Sequence, residues 1–238
     1  MTLWSAGTTA LSDEIRVAVA SNFSTVMKAL TVEFEKTTAH HVGLSFGSTG
    51  KHYAQIKNGA PFDVFLAADA ERPRLLETQG LVQADSRMTY ARGKLILWTS
   101  KSGIDDIKNT LLIGQDFRHL AVANPKLSPY GLAAQQVMIK LDVWPRLQPK
   151  LVRGENIAQT FQFVHSGNAE LGFVAYSQAA NPKRSVQGSF WMPHQSLYSP
   201  IDQQAVLLND KQASKDFLKF LKGPLARQII QNYGYDLP

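Results

Sequence analysis

Apolar residues recur along this chain in two alternating periods. Ile15 to Ala20 is apolar apart from Arg16 and predicts a buried strand. Phe23, Val26, Met27, Leu30 and Phe34 follow at the i, i+3, i+4, i+7 spacing of a helix. Val42, Leu44 and Phe46 alternate with Gly43 and Ser45, a second strand, and Gly47-Ser48-Thr49-Gly50 breaks it. A short helix over Lys51–Asn58 comes next, then a strand over Phe62–Ala67, then a helix over Arg72–Gln79 stopped by Gly80. From Met88 to Gly93 the rhythm changes, and Leu95-Ile96-Leu97-Trp98 reads as a strand with no helix directly behind it.

A second set then begins. Strands are predicted at Leu120–Ala123, Lys150–Val152 and Leu171–Ala175, with helices at Tyr130–Leu141 and Ile157–His165. The chain closes with a strand at Ala205–Leu208 and helices at Lys211–Lys222 and Pro224–Tyr233, separated by a Gly223-Pro224 stop-and-restart. Strand–helix alternation of this kind predicts parallel sheets covered by helices. It divides into two α/β lobes, with crossovers near 88–93 and near 190–200. Lobe I is expected over 13–87 plus 195–238, with the final helices returning to it, and lobe II over 88–194. Residues 1–12 are small, polar and aperiodic, and are expected to be a disordered or trimmed tail.

Composition removes several function classes. With 44% hydrophobic and 18% charged residues the chain is globular rather than disordered. It contains no Cys, which excludes disulfides, iron–sulfur clusters, Cys-ligated zinc and a Cys nucleophile. The net charge of +6 is scattered, and basic residues are not interleaved with aromatics in one segment, so no nucleic-acid partner is expected. No stretch reaches the roughly 18 apolar residues of a membrane-spanning helix.

The candidate chemistry sits in four strand-to-helix turns: Ser21-Asn22, Ser48-Thr49-Gly50, Ser128-Pro129-Tyr130-Gly131 and Glu155-Asn156-Ile157. Ligands of open α/β sheets lie at the carboxyl ends of strands, where helix starts offer unpaired N–H groups and partial positive charge. Such ends converging from two lobes would cage an anion with neutral donors. The plainer reading is that Ser21, Asn22 and Asn156 cap their helices. Gly47-Ser48-Thr49-Gly50-Lys51 is not a phosphate loop, because Ser45 stands where the first glycine belongs and His52 follows the lysine. His40-His41 lacks a metal-ligand pattern, and a solvated loop is expected there. Asp63 and Asp69 flank one strand and could form a catalytic pair, although a hinge or interlobe role is favoured. No Gly-x-Ser-x-Gly elbow occurs.

Longer blocks carry a resemblance. Val17-Ala18-Val19-Ala20-Ser21-Asn22-Phe23 resembles the first strand and binding turn of periplasmic molybdate-binding proteins, the solute receptors of molybdate ABC importers. So does Leu44 to Lys51, running on through Tyr53 to Asp69. Asn124-Pro125 with Pro129-Tyr130-Gly131, Gly172 to Ala175, Phe220 to Pro224 and Tyr233-Gly234 are similar to the same family in the same order. The resemblance covers nearly the whole chain from about Asp13.

It implies an α/β, two-lobed periplasmic binding protein of type II with the ligand cleft between the lobes. The implied ligand is molybdate, and tungstate with it, held as a free tetrahedral dianion without a cofactor, a bound countercharge or metal–protein coordination. The implied ligand-binding residues are Ser21, Asn22, Ser48 and Thr49 from lobe I, with Tyr130 and Ile157 from lobe II through their backbone N–H groups. Two departures stand out. Many members have two serines where this chain has Ser48-Thr49, and some place a tyrosine hydroxyl where this chain has Ala175, with Tyr176 one residue later. The resemblance further implies a periplasmic monomer, without enzyme activity, that docks on the membrane permease subunits of an importer. The alternatives are a receptor for another oxyanion such as sulfate, or an enzyme on the same two-lobed fold built on Lys51 with Asp63 or Asp69.

Overall fold

The computed structural model describes residues 13–114, 116–179 and 187–238. The expected N-terminal tail lies outside the described residues. The chain begins with β1 (Glu14–Ala20), a single 3-10 turn at Ser21–Phe23, α1 (Ser24–Thr37), β2 (His41–Gly47), α2 (Thr49–Lys57), β3 (Val64–Leu66), α3 (Glu71–Thr78) and β4 (Met88–Gly93). It continues through β5 (Leu95–Thr99), a π-helical turn at Lys108–Ile113, β6 (Leu120–Ala123), α4 (Pro129–Lys140), α5 (Trp144–Leu147), β7 (Leu151–Gly154), α6 (Ile157–His165), β8 (Leu171–Ala175), α7 (Tyr176–Ala179) and β9 (Ser189–Trp191). It ends with β10 (Ile201–Leu207), α8 (Gln212–Lys222) and α9 (Pro224–Asn232).

The strands form two five-stranded sheets, ordered β2-β1-β3-β10-β4 and β7-β6-β8-β5-β9. In the first, β1 pairs parallel with β2 and β3, and β10 runs antiparallel to β3 and β4. In the second, β6 pairs parallel with β7 and β8, and β5 runs antiparallel to β8 and β9. Each lobe is thus a mostly parallel α/β unit closed by antiparallel strands, as a type II binding protein is. One boundary is corrected. Met88–Gly93, expected at the start of lobe II, pairs with Ile201–Ala205 of β10 and forms an edge of the first sheet. The chain therefore first crosses between sheets at Lys94, after β4 and not before it.

Each sheet has its own core. Ile15, Val17 and Val19 of β1 pack with Phe23 and Phe34 of the following helical segment and with Phe217, Leu221 and Ile230 of α8 and α9. All eight are at most 1% exposed, so each large side chain contributes about 1.5–3 kcal/mol of burial. This is why the C-terminal helices come back to lobe I. The second core gathers Leu95, Leu97, Leu120, Val122, Phe173 and the buried face of α4. Ala20, Ala68 and Ile201 of lobe I also pack into this second core, so the lobes meet through apolar contacts as well as polar turns.

Candidate functional site

Parallel pairing fixes which turns are neighbours. In lobe I, Ala20 lies opposite Gly47, so the turns Ser21-Asn22 and Ser48-Thr49 leave the sheet side by side. In lobe II, Ala123 lies opposite Gly154, which does the same for Asn124–Ser128 and Glu155-Asn156. All six residues expected to bind the ligand are buried: Ser21, Asn22, Ser48, Thr49, Tyr130 and Ile157 are each at most 5% exposed.

The capping pattern separates two kinds of turn residue. Ser48 caps α2 by accepting from Lys51 N–H at 3.3 Å. Ser128 caps α4 through Gly131 N–H at 3.4 Å, with Pro129 at a first-turn position that needs no donor. Asn156 caps α6, its Oδ1 accepting from Ala158 and Gln159 N–H at 3.0 Å each. Neither Ser21 nor Asn22 caps the helical segment that follows it, as neither the 3-10 turn nor α1 has a side-chain cap. The capping reading therefore holds for Asn156 and fails for Ser21 and Asn22.

After these bonds are made, several donors have no acceptor among the described residues. They are the N–H groups of Asn22, Thr49, Tyr130 and Ile157, each at the start of a helical segment. Three hydroxyls join them. Ser21 Oγ accepts from Ala158 N–H at 3.4 Å, Ser48 Oγ from Lys51 N–H, and Thr49 Oγ1 from Ala68 N–H at 3.0 Å. Each hydroxyl receives a hydrogen bond and has its own proton to give.

The lobes touch around these groups. The Ser21–Ala158 bond joins lobe I to the start of α6. Gly50 N–H donates to the Leu127 carbonyl at 2.9 Å, joining α2 to the loop before α4. A Cβ on Gly50 would stand 3.0 Å from Leu127 Cα, so glycine is what permits this approach. Arg72 donates to the neighbouring Lys126 carbonyl at 3.0 Å while paired with Asp69, and Lys51 lies 3.2 Å from Glu155 across the lobes.

Lys51 and Arg72, two cations bordering the turns, are thus matched within the protein. Lys51 is an exposed rim charge, and Arg72 is neutralised by Asp69. Burial pushes the Asp69 carboxyl above its ordinary value, which the Arg72 guanidinium only partly offsets. Asp63 sits at the other end of β3, where it accepts from Arg16 N–H at 2.6 Å and holds Lys211 at 2.9 Å. The structure does not bring Asp63 and Asp69 together as a pair. His40 and His41 diverge to Asp216 at 3.6 Å and Glu35 at 3.8 Å. Tyr176, one residue past the family's tyrosine position, packs its ring against Phe190.

Asn22 departs from its expected use. Its Nδ2 donates to Gln203 Oε1 at 2.9 Å and to Tyr235 Oη at 3.0 Å, so both side-chain hydrogens are committed within the protein. Its remaining donor is the backbone N–H. Sequence reading named Gly50 only as the end of a turn before the helix predicted at Lys51, and it missed Leu127, Ala158 and Gln203, which carry no local signal.

Comparison with known proteins follows the same lines. Residues 15–236 match the model of the family described as bacterial extracellular solute-binding protein. The molybdate-binding protein ModA of Azotobacter vinelandii is 50% identical over 227 residues, covering 94% of this chain and 90% of its own. ModA of Rhodobacter capsulatus is 46% identical over 229 residues, 95% of this chain and 89% of its own. The solved structure of the Azotobacter vinelandii periplasmic molybdate-binding protein superposes with a TM-score of 0.90 at 40% identity, over 94% of this chain and 99% of that one. The sulfate-binding protein SubI of Mycobacterium tuberculosis shares the fold alone, with a TM-score of 0.75 at 12% identity.

Proposed function

This chain belongs to the bacterial extracellular solute-binding proteins, in their periplasmic molybdate-binding branch, and we propose that it captures molybdate between its lobes and delivers it to the permease subunits of an ABC importer. It is a receptor and not an enzyme. The supporting observation is the set of unspent donors, four first-turn N–H groups and three hydroxyls, contributed by both lobes, with Lys51 and Arg72 beside them already paired to carboxylates. A buried dianion without partners is prohibitive, but short N–H and O–H donors can serve all four oxygens. Helix starts add favourable field at three of the N–H groups, Thr49, Tyr130 and Ile157. Tyr130 and Ile157 act through their backbone, Asn22 through its N–H, and Ser21, Ser48 and Thr49 through their hydroxyls.

Selectivity follows from the same donors. Hydrogenphosphate carries a proton and needs an acceptor in the site; the turn N–H groups offer none, and each of the three hydroxyls already accepts a backbone N–H. Sulfate passes the charge test and is rejected by size, since molybdenum–oxygen bonds are longer than sulfur–oxygen bonds. Tungstate is nearly isosteric with molybdate and binds with it. Because each lobe supplies part of the donor set, the anion favours the closed arrangement by its extra contacts there. Titration calorimetry with molybdate, tungstate, sulfate and phosphate tests this. Tight binding of the first two and weak or no binding of the others is expected. Sulfate binding as tight as molybdate binding would refute the size argument, and no molybdate binding would refute the function.

A further inference from the structure

Behind the anion-binding turns, at the point where the chain crosses between sheets, lies a buried polar cluster. Gln203 of β10 is 0% exposed and is its centre. Its Oε1 accepts from Asn22 Nδ2 at 2.9 Å and lies 3.0 Å from the Tyr90 hydroxyl, and its Nε2 donates to the Tyr130 hydroxyl at 3.1 Å. Tyr235 ties the other side. Its hydroxyl donates to the Asn22 carbonyl at 2.9 Å and accepts from Ser177 of lobe II at 2.9 Å.

Two backbone features admit this cluster. The pairing of β10 with β4 shifts between Gln203 and Gln204, opposite Ala91 and Thr89 respectively, so Tyr90 is the extra residue of a bulge. Bulges re-aim side chains, and this one accompanies a Tyr90 hydroxyl within reach of Gln203. Gly93 ends β4, and a Cβ there would stand 2.1 Å from Tyr130 Oη and 2.7 Å from Gln203 Nε2. Only a glycine lets the Tyr130 side chain enter from lobe II at this point.

The consequence is a continuous chain between donors on opposite lobes. Asn22 offers its N–H at the lobe I turn, and its side chain grips Gln203. Gln203 grips the hydroxyl of Tyr130, whose N–H is offered at the start of α4 in lobe II. We propose that Gln203 is a positioning residue for the anion site, a fixed bearing at the pivot that sets the Tyr130 N–H relative to the Ser21-Asn22 turn. This rests on the molybdate reading given above and adds to it the group that aligns the two half-sites.

Two variants test it. Tyr130→Phe keeps the backbone N–H and removes only the hydroxyl at the end of the chain. Gln203→Leu removes the centre. Molybdate affinity and dissociation rate are measured beside the melting temperature with and without molybdate. Each variant is expected to bind molybdate about tenfold more weakly, with the loss in a faster dissociation, and to show a smaller molybdate-induced rise in melting temperature. The double variant should lose no more affinity than the worse single one, because both act through one chain. A Tyr130→Phe protein with wild-type affinity and dissociation rate overturns the proposal, even if both its apo and loaded forms melt earlier, since that is what a purely structural bond does. If the wild-type protein itself does not bind molybdate, the functional reading falls, and the proposal with it. That outcome is separate from a wild-type protein that binds and variants that bind equally well.

Discussion

Replacing Gly50 by Ala should separate stability from affinity in opposite directions. Gly50 lies in the first turn of α2 with no backbone strain that glycine relieves, so Ala is compatible with the helix and raises its intrinsic preference by up to about 1 kcal/mol. In a protein with open lobes nothing opposes that gain. In the closed arrangement the new Cβ stands 3.0 Å from Leu127 Cα and 3.2 Å from the Leu127 carbonyl oxygen, closer than ordinary contact. The nearest of these is backbone, so it cannot rotate away, and the lobes must part by a few tenths of an ångström. That stretches the 2.9 Å bond from Gly50 N–H to Leu127 and draws Tyr130, three residues beyond Leu127, away from the anion. Weakening one such bond and loosening one charge-assisted contact amounts to about 1–2 kcal/mol, roughly a five- to thirtyfold loss of molybdate affinity. Calorimetric titration gives the affinity and a thermal melt of the ligand-free protein gives the stability. Expected are a ligand-free melting point that is unchanged or higher and an affinity that is lower. Unchanged affinity would refute the claim that this glycine sets the closing distance. A ligand-free melting point that falls would show that the lobes close without the anion.

Ser21→Ala combined with Thr49→Ala should weaken molybdate binding by a few kcal/mol, at about 1.5–3 per hydrogen bond to a charged group, and an unchanged affinity would remove both turns from the site. The Lys51–Glu155 pair is exposed on both sides, so Lys51→Met should shift molybdate affinity by less than about 1 kcal/mol and only at low salt, as titrations at two ionic strengths would show. Burial holds the His52 imidazole below its ordinary value of 6.5. The unfolded chain therefore binds this proton first, and stability present above pH 6.5 is lost as pH falls below it. His52→Gln should melt less differently between pH 7.5 and 5 than the wild-type protein does, and an equal difference would exclude His52 as the group responsible.

The parts of the fold legible in the sequence were those set by local pattern. Ile157–His165 and Leu171–Ala175 form over the residues that periodicity assigns, because a cap or a continuous apolar run marks each end. Met88–Gly93 was not legible as an edge of lobe I, because its membership depends on β10, more than 100 residues later, and its bulge disturbs the alternation that would announce a strand. The four candidate turns were legible for the same local reason, being hydroxyl, amide and glycine residues at strand ends. The pivot cluster was not. Gln203 is 181 residues from Asn22 and 73 from Tyr130, and one glutamine in a strand carries no sign of what it will meet.

The character of the site also became definable only in three dimensions. A serine or threonine hydroxyl can donate or accept, so the sequence alone does not make Ser21, Ser48 and Thr49 donors. The structure supplies each with a backbone N–H to accept. To accept a proton from a ligand, a hydroxyl would have to turn its own proton toward another acceptor. A buried O–H left unpaired costs about 1–3 kcal/mol. A singly protonated oxyanion incurs one such penalty, at the hydroxyl that meets its proton, and a fully deprotonated one incurs none. On the proposed function, discrimination by protonation state would rest on the N–H groups of Lys51, Ala68 and Ala158 as much as on the hydroxyls they orient.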